Sequence, residues 1–215
     1  MNAKTILLTS LVLFLVGACE SAYYDAMEKV GIHKREIMID RIEEAQNAQE
    51  EGQEQFKDAL EQFQAVLNFD GGDLEKVYNT LNDEYEDSVS AAENISARIN
   101  GVESVSDALF SEWEGELQEY TNANLKRDSE RKLKETRRQY ERLIKAMRRA
   151  EKTIDPVLSS LKDNVLYLKH NLNARAIASL KGELGSVNDD VERLITAMQS
   201  AINESNTFVT QLREG

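Results

Sequence analysis

An elongated all-α protein built from long antiparallel helices is the fold this chain predicts, and three observations predict it. The 215 residues include one Pro and are rich in Glu, Gln, Ala, Leu, Lys and Arg, the strong helix formers. Apolar side chains recur at steps of three and four along most of the chain. No β-rich run bounded by turn residues reads as a strand. Charged residues make up 30% of the sequence, so the apolar seam is narrow.

The elements follow in order. A first helix runs from about Tyr24 to Asn68, with a seam of Met27, Val30, Lys34, Ile37, Arg41, Ala45, Ala48, Gly52, Phe56, Ala59, Phe63 and Val66. Asp70-Gly71-Gly72 breaks it, and Asp73 is placed to cap the next helix. From Leu74 one stripe keeps its phase through Leu117, Tyr120, Leu125 and Leu133 to Ala150. This favours a single long second helix. Asn100-Gly101 is a turn signal, with Ser104 and Asp107 as a capping box behind it, so four helices broken there are the alternative. Asp155 as N-cap and Pro156 in the first helical position open a third run. Its heptad spacing slips near His170-Asn171-Leu172-Asn173-Ala174-Arg175, read as a polar layer that fixes register. Tight turns at 70–73 and 153–156 give a three-helix antiparallel rod. Its helices are roughly 65, 115 and 85 Å long at 1.5 Å per residue. Folding at Gly71-Gly72 sets Gly52 near Ser90 to Ala92, Ala45 near Ala97 and Met27 near Gly115. Residues 122–187 then project as a two-helix arm.

Residues 1–18 read as a secretory signal: Lys4 in a basic start, an apolar run from Ile6 to Val16, then Gly17-Ala18. The run is too short to span a bilayer as a permanent helix. Val16-Gly17-Ala18-Cys19 resembles the lipobox of bacterial lipoproteins, which implies that Cys19 becomes the acylated first residue. Residues 19–215 are then one elongated helical domain. Cys19 is the only cysteine, so no internal disulfide competes for it.

Charge is unevenly spread. The chain carries a net −13, which becomes −14 when Lys4 leaves with the signal. Residues 126–152 hold twelve Lys and Arg against five Asp and Glu, a net +7 in a mature chain that is −21 elsewhere. An acidic balance of this size argues against nucleic acid as a partner. Arg127, Arg131, Lys134, Arg138, Arg142, Lys145, Arg149 and Lys152 fall on the helix face opposite its seam, in a stripe roughly 38 Å long. Such a stripe suits anionic lipid headgroups, an acidic helix of another subunit, or solvent alone. Asp40, Glu44, Glu51, Glu54, Asp58 and Glu61 are the acidic counterpart on the first helix.

Catalytic and metal chemistry find no footing. His33 and His170 are the only histidines, and the Glu-x-x-His pattern of di-metal bundles is absent. Asp40, Glu43 and Glu44 read as surface charges. Neither a G-x-S-x-G elbow nor a phosphate-cradling Gly loop occurs. No cofactor or metal site is expected, and no enzymatic activity.

Several stretches resemble the domain of unknown function 2959 family of predicted Gram-negative bacterial lipoproteins. They are residues 23–35 (from Tyr23-Tyr24 to Lys34-Arg35), Phe69 to Leu74, Ala146-Met147-Arg148-Arg149-Ala150 and Leu168 to Ala178. The resemblance implies an all-helical envelope protein, no known reaction and no functional residues to carry over. The expected role is a non-enzymatic helical scaffold or adaptor, lipid-anchored at the periplasmic side of the envelope. It would pair with a homo-oligomer mate or an envelope protein. Glu20 after Cys19 favours the outer over the inner membrane by resemblance to lipoprotein sorting. The alternative is a membrane-shaping module similar in outline to three-helix BAR domains, holding anionic lipid through the basic stripe.

Overall fold

The computed structural model describes residues 23–24, 26–68, 71 and 73–214. The signal segment, Cys19 and part of the 70–73 turn lie outside them. Six helices run through the described residues: α1 (Lys34–Leu67), α2 (Leu74–Glu116), α3 (Ala123–Lys152), α4 (Ile154–His170), α5 (Ala174–Leu180) and α6 (Leu184–Glu214). The chain is all-helical, as expected, and its long helices pack side by side.

Cross-helix contacts fix the topology. Glu84 accepts from Gln55 Nε2 at 2.9 Å, Glu44 from Arg98 at 2.9 Å, and Glu112 from Lys34 at 2.9 Å. As residue numbers fall along α1 they climb along α2, so the two are antiparallel. Glu44 opposite Arg98 matches the expected register of Ala45 against Ala97. Gly52 meets Ile95, about one turn from the expected Ser90 to Ala92. Asp73 caps α2 as expected, accepting from the backbone N–H of Glu75 and Lys76.

The second helix does not run on to residue 152. It passes unbroken through Asn100-Gly101, then ends at Glu116. Asn122 caps a new helix by accepting from the N–H of Asn124 and Leu125. From there α3 returns along α2: Arg137 bonds Glu114, Arg148 bonds Glu103 and Asn100, and Glu151 accepts from Ser96. The helix count therefore follows the four-helix alternative, with the reversal at 117–122 rather than at Asn100-Gly101. The 122–187 segment packs back along the bundle and forms no projecting arm.

Thr153 is not a hairpin. It caps the C-terminus of α3 and the N-terminus of α4 at once. Pro156 stands third in α4, still within the first turn, where a missing N–H leaves no helical bond unmade. Contacts with α5 and α6 show one continuous direction across it. Arg149 and Thr196 share a groove, Ser160 bonds Asp190, and Tyr167 bonds Ser179. The chain reverses instead at 171–173, where Asn173 caps α5. Residues 171–173 are thus a turn between His170, which ends α4, and Ala174, which opens α5, and not a layer within one continuous helix.

Four limbs result: α1, α2, the kinked α3–α4 pair, and α5–α6. Each packs on the next and α6 closes on α1, so α1 and α3 lie on one diagonal and run in the same direction. One core runs the length, with Met38, Ile42, Phe56, Phe63, Leu81, Leu143, Met147, Leu161, Leu168 and Phe208 fully buried. Each such side chain contributes about 1.5–3 kcal/mol on burial. A smaller cluster of Phe110, Leu117 and Leu133 sits at the 117–122 end.

The first helix also starts later than its seam suggests. Gly31 takes φ +86°, Val30 is 72% exposed, and α1 begins at Lys34. Residues 26–29 form a separate helical turn that folds back along the bundle. Tyr24 is buried there, its hydroxyl 3.0 Å from Ser104 Oγ. Met27 therefore does not extend α1 toward Gly115.

Candidate interaction surface

The basic segment lies within α3, and the fold separates ten of its twelve cations into two sets, with Lys126 and Lys132 in neither. Arg137 and Arg148 turn toward α2. Arg137 bonds Glu114 at 2.7 Å and lies 5.0 Å over the Phe110 ring. Arg148 bonds Glu103, Glu151 and Asn100. Hydrogen bonds to Glu103 raise the Arg148 pKa further still, outweighing its partial burial.

The other set is the predicted stripe. Arg127, Arg131, Lys134, Arg138, Arg142, Lys145, Arg149 and Lys152 are all exposed. They point away from Leu133, Leu143, Met147 and Ala150, which α3 buries. Arg131 pairs with Asp128 one turn before it on the same helix. Among the described residues none of the other seven forms an ion pair. A row of exposed cations, seven of them without an ion pair, can attract an anionic surface. Leu125, expected on the seam, is 58% exposed at the start of α3.

On α1, Asp40, Glu51, Glu54, Asp58 and Glu61 are exposed. Glu44 is not part of that face. It turns toward α2 and accepts from Arg41 at 2.8 Å and Arg98 at 2.9 Å. Sequence reasoning missed this cluster, because an antiparallel register is needed to place Arg98 beside Glu44.

A third polar cluster, also missed, ties the fold-back to the bundle end. Lys34 Nζ lies 2.9 Å from both Glu28 and Glu112. Burial alone would lower the Lys34 pKa, but the hydrogen bonds to Glu28 and Glu112 outweigh it and raise it. The hydrogen bond from Lys34 lowers the Glu28 carboxyl, while burial raises Glu112.

His33 and His170 are both exposed, at opposite ends of the bundle. Among the described residues no cluster of His, Cys, Asp and Glu could hold a metal ion. No described helix is long and apolar enough to cross a membrane. The larger grooves lie on the surface. One of about 690 Å³ follows the α3–α6 seam beside Arg149, Asp189 and Glu192. Another, of about 660 Å³, is lined by Trp113, Tyr120, Lys132 and Leu212.

No curated protein and no solved structure matches the chain. The sequence model of a protein family of unknown function, DUF2959, matches residues 23–212, from the fold-back to the end of the core. The chain belongs to the DUF2959 family.

Proposed function

We propose that this protein is a non-enzymatic scaffold of the bacterial cell envelope. It is anchored through Cys19 on the periplasmic side, with the outer membrane favoured, and presents the α3 face to an anionic partner. The observation that carries the scaffold role is the row of eight exposed cations, seven of them without an ion pair, on a helix fixed by a continuous core. The anchor rests on Val16-Gly17-Ala18-Cys19, outside the described residues. Two or more acyl chains, at about 0.8 kcal/mol per buried methylene, give stable attachment. Intact-mass spectrometry of the protein purified from envelopes tests it. The expected mass is that of residues 19–215 plus acyl chains, and Cys19→Ser should leave the membrane fraction. A mature chain without acyl mass would overturn the anchor.

A second reading uses the same eight cations to hold anionic lipid headgroups, each contributing about 1 kcal/mol near the surface at low salt. Its likeness to three-helix BAR modules is weakened by the four-limbed bundle.

A further inference from the structure

The basic row on α3 has a counterpart across the molecule. The outward face of α1 carries Glu36, Asp40, Glu43, Asn47, Glu51, Glu54, Asp58 and Glu61. Seven of these eight positions are carboxylates. Only Glu43 is committed elsewhere, to Arg213 at 2.7 Å. Among the described residues the other six carboxylates form no ion pair.

The two rows share one spacing. From Arg127 the basic row advances by four, three, four, four, three, four and three residues to Lys152. From Glu36 the acidic row advances by the same steps to Glu61. Both are therefore straight stripes of equal length, roughly 38 Å at 1.5 Å per residue. They also run in the same direction, because α1 and α3 are each antiparallel to α2.

Their placement decides what they can do. α1 and α3 are diagonal in the bundle, so one row faces one side of the molecule and the other faces the opposite side. A chain cannot bring its own rows together. A two-fold dimer would need both rows on one surface, since each copy must offer the patch the other uses. A copy moved by translation alone, with no rotation, does satisfy both. Arg148 is level with Glu103, and Arg98 with Glu44, so Arg149 stands level with about Asp40 of its own chain. Bringing Arg149 to Asp58 of the neighbour needs a shift of roughly 27 Å along the axis, eighteen residues at 1.5 Å each.

We propose that the occupant of the basic face is a second copy of this chain. The α3 row of one molecule lies along the α1 row of the next, in a parallel, staggered, open-ended array. The inference rests on the scaffold reading and names its partner. Heterologous contacts that do not close on themselves propagate, and exposed charge makes this one sensitive to salt.

The test uses a chain beginning at residue 20, which keeps every core residue from Tyr24 to Leu212. Two variants reverse one face each. The first carries Arg142→Glu, Lys145→Glu and Arg149→Glu, the three positions that face Glu51, Glu54 and Asp58 in this register. The second carries Glu51→Lys, Glu54→Lys and Asp58→Lys. All six side chains are exposed, so circular dichroism should match the parent; if a variant loses helix, Gln at the same three positions replaces the reversal. In sedimentation velocity at low salt, the parent's average mass should climb with concentration past that of a dimer. At 1 M salt, where the Debye length is about 3 Å, it should return to a single chain. Each variant alone should stay a single chain, and an equal mixture of the two reversal variants should assemble again. A parent that stays single at low salt, a plateau at the dimer, or variants that assemble as the parent does would each overturn the inference. Sedimentation with anionic vesicles by a parent that does not self-associate would assign the face to lipid. Acyl mass on Cys19 without assembly would sink the array and leave the anchor; assembly without acyl mass would do the reverse.

Discussion

A β-carbon built on Gly52 would stand 2.7 Å from Cδ1 of Ile95. α1 and α2 approach that closely because α1 offers Ala45, Ala48 and Gly52 along the shared seam. Gly52→Ala gains about 0.5–1 kcal/mol of helix propensity, but it must displace a fully buried Ile95 terminus, and overpacking of this kind costs about 1–3 kcal/mol. We expect a net loss of about 1 kcal/mol by denaturant unfolding. Ile95→Val removes that Cδ1, so the double variant should be more stable than the sum of the two singles. Simple additivity would show that Ile95 does not set the approach.

Gln49 is fully buried, and neither atom of its amide has a hydrogen-bond partner. An unmade buried hydrogen bond costs about 1–3 kcal/mol. Gln49→Met keeps the side chain's length and should raise stability by about 1–2 kcal/mol. A lowered melting temperature would contradict this.

Adjacent arginines on α3 should behave differently. Arg148 joins Glu103, Glu151 and Asn100 across two helices, so Arg148→Ala should cost about 1–2 kcal/mol. Arg149 is exposed without an ion pair, and Arg149→Ala should change stability by less than about 0.5 kcal/mol. Equal losses at both positions would refute the division of the basic segment into a packing set and a solvent set.

The carboxyls that share Lys34 predict a pH signature. Burial raises Glu112, so the folded state holds its proton longer than the unfolded state does. That contribution is fully present at low pH and is lost as pH rises through the raised pKa. Glu28, lowered by Lys34, acts in the opposite sense and loses its contribution as pH falls. Replacing Glu112 by Gln removes the first and keeps Lys34, the largest cause of the second, beside Glu28. The stability of Glu112→Gln relative to the parent should therefore rise with pH from the ordinary glutamate range upward, then level off. A relative stability that fell over that range would show that Lys34, not burial, dominates at Glu112.

Much of the pairing was legible in the sequence, and the reversals were not. The α1–α2 register followed from Asp73 and the small residues, because a short turn leaves little freedom. All eight stripe residues lie on the exposed face of α3, because three- and four-residue steps define a helix face whatever lies beyond. The same periodicity misled at Leu117 and Tyr120. A stripe reports which face is apolar and not whether the helix continues, and a reversed helix carries a stripe too. Asn122 was the available signal there, with no Gly or Pro to reinforce it. Pro156 misled in the other direction: in a first turn it punctuates a helix without turning the chain. Glu44 needed tertiary register, since only the packing of α2 brings Arg98 to it.

The contact of Tyr24 with Ser104 has a consequence for how the molecule is held. Ser104 lies twelve residues before the end of α2, roughly 18 Å along the axis. The described chain therefore enters on the flank of the bundle and not at its tip. Four residue steps separate Cys19 from Tyr23 and span at most about 14 Å. If Cys19 carries lipid, the molecule is moored by its side with almost no slack, and it lies along the membrane instead of standing on it. Neutron reflectometry of the lipidated protein on a supported bilayer should then find a layer one bundle thick, not one bundle long.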